Sequence, residues 1–250
     1  MRNLVRIGVA ALLVLAGCGG DDEQPQLRVS AAASLKTAFE DYGKSFPDAR
    51  VAYSFAGSDE LAAQIRKGGR PDVFAAANTK LPSQLHDEDL VEQPVTFAAN
   101  RLVLAVPANS TRVKSLGDLA QDGVRIAAGS ASVPVGSYTR DVLARMGPGT
   151  ARRIERNIRS NEPDVSGVVG KVAQGAVDAG FVYVTDVLAA QGRLRAIAIP
   201  ERLSPRVLYG VAVVRGTDHP DAARSFVSGL VRGNGVEALT RAGFESPQGG

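Results

Sequence analysis

Four short turns in this chain set a small or hydroxyl-bearing residue directly before a helical pattern. They are Ala33-Ser34-Leu35, Gly57-Ser58-Asp59-Glu60-Leu61, Pro134-Val135-Gly136-Ser137 and Asp164-Val165-Ser166-Gly167. Taken singly, each is a helix cap, because Ser and Asp accept the orphan N–H groups of a first helical turn. Taken together, they suggest more. A helix N-terminus offers free N–H donors and a partial positive charge, so several converging on one cleft would hold an anion without any Lys or Arg.

Groups for catalysis are hard to find. His86 (in Leu-His-Asp-Glu-Asp) and His219 (in Asp-His-Pro) sit in polar contexts that read as solvated surface. The sequence has no His-Glu-x-x-His, no Gly-x-Ser-x-Gly and no phosphate loop. Ser34 and Lys36 are two apart and do not face each other on a helix. Asp87, Glu88 and Asp89 read as a charged surface turn. The expectation is a binding protein, not an enzyme, with no cofactor and no directly ligated cation.

The elements that must position these turns alternate between strand and helix, which predicts an α/β fold with mainly parallel sheets. Leu27-Arg28-Val29 leads into Leu35, Ala38, Phe39, Tyr42 and Phe46, an apolar stripe at helical spacing. Strands are expected near 51–55, 72–76, 101–106, 125–128, 180–184, 197–199 and 208–214. Helices are expected near 137–146, 166–177, 220–231 and 236–242, with a polar helical turn over 81–90. No internal repeat is visible. The strands near 101–106 and 208–214 bracket a middle block, as in a chain that leaves one lobe, builds a second and returns. The expected division is 27–104 with 208–250 as one lobe and 105–207 as the other; by pattern alone, one continuous sheet stays open.

The N-terminus reads as an export signal. Arg2 and Arg6 precede an apolar run from Ile7 to Ala16, too short to span a bilayer, and small residues follow. Leu15-Ala16-Gly17-Cys18 resembles the bacterial lipoprotein signal, which implies a cleaved peptide of 1–17 and a lipid on Cys18, the only cysteine. Residues 18–26 are polar with Gly and Pro and read as a flexible tether. Loss of Arg2 and Arg6 takes the 29 basic side chains to 27 against 26 acidic ones, so nothing in the charge calls for nucleic acid. The length allows one large or two modest domains.

Six segments carry a further resemblance. They are Ala31-Ala32-Ala33-Ser34-Leu35, Ser54-Phe55-Ala56-Gly57-Ser58-Asp59-Glu60-Leu61-Ala62, Pro71-Asp72-Val73-Phe74, Asn100-Arg101-Leu102-Val103-Leu104, Val133-Pro134-Val135-Gly136-Ser137-Tyr138 and Phe181-Val182-Tyr183-Val184-Thr185-Asp186. In order and spacing they resemble the periplasmic molybdate-binding proteins of ABC importers, over roughly 27–244. The resemblance implies a two-lobed fold closing on a tetrahedral oxyanion in the cleft between lobes. It further implies that Ser34 and Ser58 bind through hydroxyl and N–H, Val135 and Val165 through backbone N–H, and Tyr183 through its hydroxyl. It implies molybdate or tungstate as ligand, a membrane permease as partner and a monomer held outside the cytoplasm by its lipid. The family's Pro-x-Gly turn often carries alanine where Val135 stands, a small change if only the main chain is used. Asp59 departs from the family's serine-rich turn, and a carboxylate beside a dianion must point out of the cleft. An all-donor site favours a fully deprotonated dianion over hydrogen phosphate. Sulfate, thiosulfate or phosphate on the same fold is the alternative.

Overall fold

A computed structural model of the chain describes residues 24–248. The expected signal peptide and Cys18 lie outside the described residues. Of the expected tether, the last residues already belong to the fold: the Pro25 carbonyl accepts the Arg50 N–H at 2.9 Å, and Gln26 opens the first strand.

The chain opens with β1 (Gln26–Ala32), α1 (Lys36–Lys44), β2 (Arg50–Ala56), α2 (Ser58–Arg66) and β3 (Val73–Ala76). β1 buries Leu27, Val29, Ala31 and Ala32, and β3 buries all four residues, as strands covered on both faces must. A 3-10 turn over Ala33–Leu35 joins β1 to α1, which turns Ala38, Phe39 and Tyr42 inward at helical spacing. Next come α3 (Lys80–Asp87), β4 (Val95–Asn100), β5 (Leu102–Pro107), β6 (Ile126–Gly129), α4 (Pro134–Arg145), α5 (Pro148–Asn157), β7 (Ile158–Glu162) and α6 (Val165–Ala173). β8 (Ala179–Tyr183), α7 (Val184–Ala189), β9 (Leu194–Ala198), β10 (Val207–Val213), α8 (Pro220–Arg232) and α9 (Asn234–Arg241) complete it.

The strands form two five-stranded sheets, in the orders β2-β1-β3-β10-β4 and β7-β6-β8-β5-β9. In each, the first three strands run parallel and the last two antiparallel to their neighbours. The two orders correspond position for position, so the architecture repeats although the sequence shows no repeat. A fold asks only for apolar residues at the right period, a far looser demand than identity. The antiparallel member in each sheet is the strand that follows a crossing between sheets: β5 on the way out, β10 on the way back. The sheets part at Arg101, slightly ahead of the expected 104/105 division, because β5 pairs along its length with β8 and β9.

Apolar packing fixes the flanking helices. Phe39, Tyr42, Phe46 and Phe226 meet with ring centroids 4.7–5.8 Å apart, tying α8 to α1 over the first sheet. Each such buried ring contributes on the order of 2–3 kcal/mol. Elements that the sequence reading passed over are polar or short, apart from β4 (Val-Thr-Phe-Ala-Ala-Asn), which runs almost directly into β5. α5 buries only Ala151, Ile154 and Asn157; β7 (Ile-Arg-Ser-Asn-Glu) is a half-exposed edge strand; α7 has six residues, too few for a period.

Candidate anion-binding site

In an open α/β sheet, loops leaving the carboxyl ends of strands on either side of a reversal in strand order form a crevice. Here β1 and β6 are those reversal points, and the two crevices face each other. Each expected residue sits at one of these strand ends.

β1 ends at Ala32, and Ser34 follows in the 3-10 turn, buried, with its hydroxyl 2.9 Å from the Tyr209 hydroxyl. β2 ends at Ala56 and Gly57 caps α2 with no side-chain hydrogen bond. Ser58 is therefore the first helical residue and not a cap. Its hydroxyl oxygen accepts the Ala77 N–H just beyond β3 at 3.1 Å. Leu61 is the first residue of α2 to donate back, to the Gly57 carbonyl, so the preceding N–H groups have no helical acceptor.

The second lobe supplies the other wall. After β6, Val133 caps α4, Pro134 opens it, and the Val135 N–H falls among the orphan donors of the first turn. Gly136 is required there, since a Cβ would overlap the Ser130 and Gly129 carbonyls on which the turn folds. After β7, Asp164 caps α6 and accepts the Gly167 N–H at 3.0 Å, which leaves the Val165 N–H unclaimed by the cap. Tyr183 ends β8. Among the described residues its hydroxyl is buried without a hydrogen-bond partner, while its N–H donates to Asp186 at 2.8 Å.

Ser34, Ser58, Val135, Val165 and Tyr183 all line one cavity of about 20 Å³, completed by Ala33, Gly57, Ala77, Val133, Pro134 and Asp164 among others. A space of that size suits an occupant only a few atoms across. No Lys, Arg or His lines it. Burial, chiefly, then the neighbouring Tyr209, Tyr138 and Asp186, hold the Tyr183 hydroxyl well above its usual range, so it remains a proton-bearing donor. The cavity's donors are helix N-termini and neutral hydroxyls, and the Asp164 carboxylate in its wall is engaged by the Gly167 N–H. Such a site can surround a small anion with donors.

Asp59 does not line the cavity; it is half-buried, and one carboxylate oxygen lies beside Gly57 without a hydrogen-bond partner among the described residues. Its place in the first turn of α2 favours a negative charge through the helix dipole. The histidines lie elsewhere, His86 on α3 beside the Val91 carbonyl and His219 before α8. Among the described residues no group of three or more His, Cys, Asp or Glu could hold a metal ion. Sequence reasoning missed Tyr209 and Asn100, which stand behind Ser34. Tyr209 lies in the apolar run of β10, where nothing marks it as other than core.

Known proteins resemble this chain closely. A family model described as bacterial extracellular solute-binding protein matches residues 27–245. The molybdate-binding protein of Mycobacterium tuberculosis (strain H37Rv) is 36% identical over 225 residues, covering 88% of this chain and 84% of that protein. Among solved structures, the periplasmic molybdate-binding protein of Azotobacter vinelandii is 24% identical with a TM-score of 0.80, covering 89% of this chain and 100% of the other. The sulfate-binding protein of M. tuberculosis H37Rv has the same fold at 14% identity, with a TM-score of 0.80 and coverage of 90% and 88%.

Proposed function

The chain belongs to the bacterial extracellular solute-binding proteins, and we propose that it captures molybdate, with tungstate as a close second, for delivery to an ABC permease. The observation that carries this reading is the cavity walled by hydroxyls and helix-start N–H groups from both lobes, with no Lys, Arg or His among its described lining residues. A dianion removed from water must be met by hydrogen bonds, and charge-assisted ones contribute about 1.5–3 kcal/mol each. Ser34, Ser58, Val135, Val165 and Tyr183 supply enough donors for four oxygens. The relative 36% identical over most of the chain, named for molybdate, supports that choice among dianions. Sulfate is the second reading, favoured by the sulfate-binding protein of the same fold; thiosulfate and phosphate belong to the same class.

No catalysis and no cofactor enter this function. The protein works as a monomer outside the cytoplasm, tethered by a lipid on Cys18 so that loaded protein stays near its permease. Fractionation of cells carrying Cys18→Ser tests the tether: release from the membrane fraction is expected, and continued attachment contradicts it. Calorimetric titration of the mature protein with molybdate, tungstate, sulfate and phosphate tests the function. Tight binding of the first two, weaker sulfate and no phosphate is expected; tight phosphate with no molybdate would overturn the reading.

A further inference from the structure

Behind Ser34 lies a short run of hydrogen bonds whose polarity follows from the orientation of one amide. Asn100, buried at the end of β4, accepts the Arg101 N–H through Oδ1 at 2.8 Å. That bond orients the amide, because an N–H needs an oxygen opposite it. Nδ2 therefore points the other way, donating to Thr185 Oγ1 at 2.9 Å and to the Tyr209 hydroxyl at 3.4 Å. Tyr209 is fully buried. Among the described residues its hydroxyl has two hydrogen-bonding neighbours, Asn100 Nδ2, which can only donate, and Ser34 Oγ at 2.9 Å. The tyrosine hydrogen accordingly goes to Ser34, and the Ser34 hydrogen is left for the cavity. Ser58 is arranged alike, with the Ala77 N–H donating to its oxygen.

Resting on the anion-binding reading, we propose that Asn100 and Tyr209 are positioning residues that hold the Ser34 hydroxyl as a donor toward the bound oxyanion. Hydrogen bonds in such a series polarise one another, so the last donor is strengthened as well as aimed. The run also joins the lobes: Asn100 and Tyr209 belong to the first sheet and Thr185 to α7 of the second lobe. The rings of Tyr209 and Tyr183 meet across the same seam, centroids 6.0 Å apart.

A double-mutant cycle on the mature protein, titrated with molybdate, tests this. Tyr209→Phe removes only the hydroxyl and is expected to weaken binding about fivefold or more in the wild-type background. In the Ser34→Ala background, where no hydroxyl remains to aim, it is expected to add less than about twofold. Asn100→Ala taken through the same cycle should repeat the pattern, with thermal melts identifying any variant that fails to fold. Equal losses in both backgrounds for both substitutions would overturn the proposal, as a purely structural role predicts. A wild type that ignores molybdate sinks the function reading instead, and the same cycle run with whichever of tungstate, sulfate or phosphate binds still judges the relay.

Discussion

A dianion entering a cavity whose donors are all neutral gives up its hydration, so each donor that meets it carries part of the affinity. Ser58 accepts the Ala77 N–H, and in the proposed arrangement Ser34 accepts from Tyr209, which leaves both serine hydrogens for the ligand. Ser34→Ala and Ser58→Ala are each expected to weaken molybdate binding tenfold or more in titration, about 1.4 kcal/mol. Unchanged affinity in both would mean that the serines serve the fold alone. Ser58→Ala should also lower the melting temperature of the ligand-free protein, since the Ala77 N–H loses its acceptor. At this scale the sequence was partly readable. A Ser before a helical stripe announces itself, and Ser34 and Ser58 do line the cavity. A Tyr inside a strand such as Val207–Val213 does not, because hydroxyl and ring look like core until a partner 175 residues away comes within hydrogen-bond distance.

Helix starts at the ends of β1, β2, β6 and β7 bring backbone donors to one point, and their approach is close. A Cβ on Gly57 would collide with the Pro163 carbonyl of the opposite lobe. The Gly57 backbone, at φ −61 and ψ 135, suits alanine, so the collision and not the conformation carries the cost. Gly57→Ala is expected to hold the lobes apart, weakening molybdate binding tenfold or more by titration. Small-angle scattering with molybdate should then show a larger radius of gyration than for wild type; an equally compact, tight-binding variant would contradict this. Strand–helix alternation was legible because β3, β5 and β8 are continuous apolar runs and β1 sets Leu27, Val29 and Ala31 at alternate positions. α5 and β7 were not, since an edge strand of Ile-Arg-Ser-Asn-Glu is half solvated and carries no strand signal. Its end nevertheless positions Val165.

Two sheets of matching strand order, exchanging the chain twice, make a molecule of two bodies with the cavity between them. Each lobe carries part of the donor set, so the anion is fully surrounded only when the lobes are together, the condition for ligand-driven closure. The two-lobe plan was suggested by the apolar strands bracketing the middle block, while the repeated topology was invisible, since the lobes share a pattern of pairing and not of residues. The central claim is that this seam holds the oxyanion. Crystals of the mature protein grown with molybdate, with diffraction recorded on both sides of the molybdenum absorption edge, test it most directly. The account predicts one strong anomalous peak among Ser34, Ser58, Val135, Val165 and Tyr183, with their donors on its oxygens. A peak elsewhere on the molecule, with that cavity empty, would contradict it.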